Sequence, residues 1–477
     1  MDRNRSPAVA LFDRRRAGVL LHVSSVPGPH GIGDLGLGAH RVAHWIAASG
    51  ATLWQMLPIG PVGKGDSPYS ATSSFAIEPL FLSLEGLARA GLLARRDLAA
   101  PASLGRGTTD YERARRFKWP RFRAAFDRFA ARGGVRSAAF QAYRRRERAW
   151  LEGWCRFACE RDGGDPRLHA FVQFQLERQW RQLRDRCRAL GVRLIGDLPI
   201  FVSLDSADVR DRPELFRLDA RGRPVVVTGV PPDCFSKDGQ LWEHPHYRWA
   251  AHRRERFAWW ISRVRIALER FDALRIDHFV GLKHAYEIPG AATHARRGVW
   301  RPTPGRELLG AIRARLGDLP LIAEDLGALT PAVERLRDDF ALPGMKLLHN
   351  AFYGPDSRDL PHHHPRRCVV YPGTHDNDTT RGWWKSLPRD ARERFVRFAG
   401  ADPARPEEAM VRLAYGSPAN TAIVAAQDLL GLGRAARMNV PGLAEGNWAW
   451  RLQPNELRPA LADRLKMLAV DAGRLAL

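Results

Sequence analysis

Residues 272–279, DALRIDHF, decide how the rest of the chain is read: a short apolar, strand-like run ends in Arg275, Asp277 and His278, so charged groups stand where the strand gives out. Two later stretches repeat the arrangement. In PLIAEDLG (320–327) Glu324 and Asp325 follow LIA, and in CVVYPGTHD (368–376) His375 and Asp376 follow VVY and continue into Asn377 and Asp378. A charge after an apolar run is ordinarily only the edge of a strand. Three acids presented in the same manner form a candidate glycosidase centre.

Working outward, five more runs share the pattern: AGVLLHVSSV (17–26), ATLWQMLPI (51–59), VRLIGDLPIFV (192–202), GMKLLHNAF (344–352) and ARMNVPG (436–442), which brings the candidate strands to eight. Helix-patterned segments separate most of them. The clearest precedes the third strand, where Phe171, Phe174, Trp180, Leu183, Cys187 and Leu190 recur at helical spacing among Arg and Glu. Apolar strands alternating with amphipathic helices imply a parallel sheet covered by helices, and eight such units close into an α/β (β/α)8 TIM barrel. Each charged motif then falls at a C-terminal strand end, the barrel face on which active sites are built.

The spacing is uneven, and the long gaps read as insertions at that same face. Residues 60–165 hold an SPYSATSSF loop followed by Arg-rich helical sequence, a mainly helical insertion after the second strand. Residues 203–255 hold GVPPDCFSKDGQLWEHPHYRW (229–249), rich in Pro, Gly and aromatics without strict periodicity, an active-site loop insertion after the third strand. The expectation is one catalytic barrel spanning 1–477.

Hydrophobic residues at 45% and charged residues at 27% are ordinary for a globular chain of 477 residues. The net charge of +23 invites a nucleic-acid reading. Only seven of the basic residues are Lys, the arginines are strewn along surface-like helices rather than focused, and no zinc-finger spacing or Walker loop accompanies them, so no specific nucleic-acid partner is expected. Five cysteines without framework spacing point to a reducing, cytoplasmic compartment. The N-terminal run is too short for a signal peptide and no stretch approaches a membrane span.

Breaking a glycosidic bond with retention needs one carboxylate nucleophile and one carboxylic acid to protonate the leaving oxygen. Asp277 suits the first role, because Arg275 on the same side of the strand would hold it ionised. Glu324, after three apolar residues, suits the second, since desolvation would keep its proton on. Asp376 and His375 would supply a fixed negative group and hydrogen bonds to sugar hydroxyls. THDND also reads as a metal site. His362, His363 and His364 give a weaker metal signal and read as a surface loop. Tyr69, Trp242, Tyr247, Trp249, Trp448 and Trp450 lie in Pro/Gly-marked loops, where they serve either as sugar platforms or as packing.

Assembled, these motifs resemble the amylomaltases or disproportionating enzymes, 4-α-glucanotransferases of glycoside hydrolase family 77, over about Gly18 to Leu452. GDSPYSATSSF (65–75), IGDLPIFVSLDSADV (195–209), LRIDHF (274–279), AEDLG (323–327), YPGTHDNDTTRGWW (371–384) and NVPGLAEGNWAWRL (439–452) carry the likeness. The resemblance implies Asp277 as nucleophile, Glu324 as general acid/base and Asp376 as transition-state stabiliser. It also implies Tyr69, Asp197, Arg275, His278 and His375 as contacts to the sugar beside the scissile bond, with Trp242 and Asn439 flanking the groove. Its expected donors are α-1,4-glucans, its acceptors glucose or another glucan, and it implies neither metal nor organic cofactor. The match places no sugar-binding module ahead of the barrel. The alternatives are an α-amylase-type hydrolase and a weakly active glucan-binding homologue. Four places depart from the family pattern: Cys234 stands for Tyr, Glu243-His244 for Gly-Asn, Ile77-Glu78 for Gly-Asn, and Leu443 for Thr.

Overall fold

The computed structural model describes residues 9–232, 236–327 and 329–475. Its strands in chain order are β1 (Arg16–Leu20), β2 (Leu53–Gln55), β3 (Arg193–Leu198), β4 (Val226–Val230), β5 (Gln240–Pro245), β6 (Ala273–Ile276), β7 (His284–Pro289), β8 (Val299–Pro302), β9 (Leu321–Ala323), β10 (Gly344–Leu347), β11 (Cys368–Tyr371) and β12 (Thr421–Ala425). Eight of them form one sheet in the order β10-β11-β12-β1-β2-β3-β6-β9, every neighbouring pair parallel. Between its two ends Ala323 N donates to Pro343 O at 2.9 Å, and Met345 N to Asp325 Oδ1 at 2.7 Å. The sheet thereby closes into a (β/α)8 TIM barrel.

Side chains fill the barrel. Leu53, Ile195, Ala273, Ile322, Met345, Val369 and Ile423 project inward and pack on one another, a filled core rather than a pore. Gly18 completes that layer by having no side chain, since a Cβ there would lie 2.8 Å from Leu53 Cβ. Outside, helices cover the strands. Pro166–Ala189 precedes β3: Asp165 caps it by accepting from Arg167 N, and Gly191 leaves it with φ +76°. Its buried Trp180 sets an indole edge-on against Phe271, 5.1 Å between centroids, and donates to Arg270 O at 3.0 Å. Truncating Trp180 to Ala costs about 3–5 kcal/mol in lost packing.

Seven of the eight expected barrel strands are present, mostly shorter than their apolar runs. The eighth is not 436–442. That stretch is a short 3-10 turn, Arg434–Ala436, followed by loop, and β12 (TAIVA) takes its place in the barrel. Asn439, Pro441 and Gly442 weaken a strand there, whereas Ile423 and Val424 supply β-branched residues for the two faces of β12.

The 229–249 stretch read as a loop also carries strands. β4 and β5 form an antiparallel hairpin that joins β7 and β8 in a second sheet, order β5-β4-β7-β8. Cys234 lies outside the described residues. Between β2 and β3 stand the helices Tyr111–Ala131, Ala138–Arg146 and Arg148–Asp162, packed onto Pro166–Ala189 through Phe129, Phe140, Phe171 and Phe174. Lys118, wholly buried in the first of them, donates to Asp34 Oδ2 at 2.8 Å and to the carbonyls of Leu80 and Leu82. Among the described residues no helix is long and apolar enough to cross a membrane.

Candidate active site

The register of β3 on β6 sets Asp197 directly beside Arg275, so both side chains rise on the same face of the barrel wall. Arg275 Nη1 lies 2.9 and 2.8 Å from the two Asp197 oxygens and 2.9 Å from Asp277 Oδ1. Its Nη2 stands 3.9 Å from Glu324 Oε2. One buried guanidinium therefore faces three carboxyl groups from β3, β6 and β9. Asp277 is fixed by its backbone, whose N–H donates to Leu198 O, and Glu324 by its own, which donates to Ile276 O. The neighbouring strand thus holds each acid at the rim.

His278 ends β6 in the left-handed region at φ +50° and turns the chain into the 3-10 helix Phe279–Leu282. That conformation costs a non-glycine residue on the order of 1 kcal/mol or more and directs His278 N to Glu324 Oε2 at 2.5 Å. The imidazole meets the edge of Trp242 at 4.9 Å. Burial pushes it down to about 4, so the ring is neutral, and its Nε2 is buried without a hydrogen-bond partner. A neutral imidazole with an unused nitrogen can donate to or accept from a sugar hydroxyl.

Across the mouth, His375 Nε2 lies 3.2 Å from Asp376 Oδ2, and Asn439 Nδ2 donates to Asp376 Oδ1 at 2.6 Å. Tyr69 stacks on His375, 4.9 Å between centroids, while its hydroxyl donates to Asp197 Oδ2 at 2.8 Å. That bond joins the two halves of the cluster. All ten predicted residues, Asp277, Glu324, Asp376, Tyr69, Asp197, Trp242, Arg275, His278, His375 and Asn439, lie in this contiguous network.

The acids differ in protonation. Burial pushes Glu324 up to about 8, the Asp277 charge adding to burial and Arg275 opposing both. For Asp376 burial pushes upward too, but His375, the Asn439 amide and Arg275 together hold it well below the usual carboxylate range. Near neutral pH the site therefore holds one protonated carboxyl group and one firmly ionised one, the separation that acid/base work requires.

Several contacts escaped sequence reasoning. Arg437 Nη2 donates to Asp376 O at 2.6 Å, and Asp428 Oδ1 accepts from Thr380 N at 2.7 Å, capping the helix Thr380–Ser386 behind the loop. Asp428 follows β12, so missing that strand hid it. Tyr247 is packing rather than platform: it is buried and donates to Ile200 O. His364 is likewise buried, held by Ser417 and Asp359, while His362 and His363 are exposed. In THDND, Asp378 turns to Arg434 and Thr379 rather than toward His375. Among the described residues the grouping with metal-ligand geometry is His30, Asp34 and Glu85, where the Lys118 ammonium already neutralises Asp34.

A closed parallel barrel bearing clustered carboxyl groups at its C-terminal rim is the architecture of carboxylate-dependent carbohydrate enzymes. The chain belongs to the 4-alpha-glucanotransferase family of glycoside hydrolases (family 77), whose family model matches residues 21–165 and 158–456. These are glycosyl-transferring enzymes. The Thermus thermophilus 4-alpha-glucanotransferase is 42% identical over 97% of this chain and 99% of its own length, and a chloroplastic/amyloplastic 4-alpha-glucanotransferase of Solanum tuberosum 37% over 97% and 87%. The Streptococcus agalactiae amylomaltase, solved in complex with acarbose, superposes with a TM-score of 0.93 at 31% identity, covering 97% of this chain and 100% of that one. The resemblance drawn from the motifs is thus a family membership, and the hydrolase alternative is not favoured.

Proposed function

We propose that this enzyme cuts an α-1,4-glucan and passes the freed segment to the 4-hydroxyl of glucose or another glucan by double displacement. Asp277 attacks the anomeric carbon as its bond to the leaving oxygen breaks, and the Glu324 proton moves to that oxygen. The acceptor hydroxyl then attacks the same carbon, Glu324 takes its proton, and the Asp277 carboxylate leaves, so the α configuration is retained. Asp376, kept ionised, offsets positive charge on the sugar ring, while Tyr69, Asp197, His278 and His375 hold hydroxyls of the donor sugar and Trp242 and Asn439 flank the groove.

The observation that carries this reading is the placement of one guanidinium, Arg275, against both Asp277 and Glu324 with the proton retained on Glu324. Arginine pairs with the nucleophile while burial keeps the acid neutral. On this reading the helices between β2 and β3 (60–165) and the hairpin region (203–255) are insertions that wall the cleft and favour a bound sugar over water as acceptor. We place the enzyme in the cytoplasm, in keeping with the free thiols of Cys155, Cys159, Cys187 and Cys368.

Incubation with maltotriose, with products resolved by chain length, tests the proposal. Longer oligosaccharides together with glucose are expected. Maltose and glucose alone would overturn transfer in favour of hydrolysis.

A further inference from the structure

One face of the small sheet frames a cavity of 460 Å³, with none of the catalytic cluster in its lining. Ala285 on β7 and Arg301 on β8 stand opposite each other in register, and Glu287 follows two residues on along the same face. Facing them are Arg217, Arg248 and the indole of Trp249, the first residue of the helix Trp249–Arg254. The small side chains of Ala250 and Ala285 leave the space open.

Charge selects the ligand class. Arg217 donates to Glu287 Oε1, and Arg301 Nε stands 3.9 Å from Glu287 Oε2, so a single carboxylate holds two guanidiniums side by side without neutralising both. Arg248 adds a third, anchored by its Nε on Phe216 O at 3.3 Å. Three guanidiniums against one acid leave the cavity cationic. A neighbouring cavity of 280 Å³ shares Thr303 with it and is lined by Lys283, Arg306, Glu307 and Arg335, of which Arg306 pairs with Asp339 and Glu307 with Arg253. Neutral glucans carry no countercharge for these groups.

Trp249 supplies the second half of the recognition. Its ring packs on Tyr247 at 5.0 Å and stacks on Trp260 at 6.5 Å, which fixes it as a platform at the wall of the cavity. An aromatic face suits the apolar face of a pyranose, and paired guanidiniums suit phosphate oxygens. We propose that this cavity is a second binding site, separate from the glucan cleft, for a phosphorylated monosaccharide, with the sugar against Trp249 and the phosphate between Arg301 and Arg248. It would let the enzyme sense the phosphorylated sugar pool while its substrates remain uncharged.

The probe is glucose 1-phosphate, titrated calorimetrically into the full chain at low ionic strength, with glucose, inorganic phosphate and maltotriose as parallel titrants. Saturable binding of glucose 1-phosphate is expected, tighter than that of either glucose or phosphate alone by tenfold or more. In the exposed double variant Arg248→Gln/Arg301→Gln its Kd should rise at least tenfold, while maltotriose disproportionation stays unchanged. Unaltered affinity in the double variant would place the probe in the cleft and overturn the proposal. Equal affinity for inorganic phosphate would reduce the site to an anion site without sugar recognition. Absence of binding to the unmodified chain would also sink it.

Discussion

The floor and the rim of the cleft are built on opposite physical terms. On the floor Arg275 is 3% exposed and is shared by Asp197, Asp277 and Glu324, so each carboxyl group's position depends on a charge that water does not screen. On the rim Lys64 Nζ meets Glu243 Oε2 at 3.0 Å with side chains 80% and 58% exposed, and Ser70 Oγ lies 3.4 Å from His244 Nε2. These pairs tie the loop after β2 to the β4–β5 hairpin. An exposed ion pair of this kind contributes about 0–1 kcal/mol. Among the described departures from the family pattern, Glu243 and His244 stand at the rim, whereas Ile77 and Glu78 are buried, Glu78 accepting from Val62 N and Leu80 N. Glu243 makes the contrast concrete: it holds φ +62° where the family has glycine, a backbone strain that the rim tolerates.

The most severe way to break the comparison is Asp277→Asn, for which kcat is expected to fall about 10³-fold or more while the melting temperature holds. A variant that keeps activity would end the role assigned to the floor. Next is Arg275→Met, which leaves Asp197 buried without its countercharge and should cost about 3–5 kcal/mol of stability by denaturant titration. A loss below 1 kcal/mol would mean that water reaches the pair.

Glu324 sharpens the same contrast through pH. On the proposed mechanism protonated Glu324 is the acid, so kcat/KM should be sustained below about 8 and lost as pH rises through that value. Its carboxyl group binds its proton more tightly folded than unfolded, where it titrates near 4.5. Between those values the folded state holds the extra proton, and the stability contributed by this group falls as pH rises. Glu324→Gln should therefore abolish turnover yet melt higher than the unmodified enzyme at pH 8, with the difference gone at pH 4.5. A lower melting temperature at pH 8 would contradict the burial argument.

The smallest expected effects belong to the rim. Lys64→Ala should change stability by less than about 1 kcal/mol and leave kcat within twofold. Restoring the family pair with Glu243→Gly/His244→Asn should shift the KM for acceptor glucose more than kcat. A drop in kcat as large as that of a floor variant would erase the distinction between the two regions.

The clustering of Asp277, Glu324 and Asp376 was legible because each acid follows a β-rich run, and a strand end at the barrel's C-terminal face converts sequence position into spatial position. The same logic failed at β12, whose five residues Thr421–Ala425, between Asn420 and Ala426, give too short a pattern to separate strand from helix. Missing it hid Asp428. The second sheet was also unreadable, because β7 pairs with β4 across more than fifty residues and its local sequence does not announce that partner. The cationic cavity followed from that sheet, since its arginines come together only once the four strands pair.

Sequence by itself determined the barrel class and the family and nominated ten residues that the fold gathers at the barrel mouth, because strand periodicity and motif spacing are local properties of the chain. Tertiary structure alone decided which strand completes the barrel, that one guanidinium serves three carboxyl groups, and that Glu324 keeps its proton while Asp376 does not. Those facts depend on burial and on distances between elements far apart in the chain, and a pKa is set by the charges and the solvent that surround a group rather than by its neighbours in sequence.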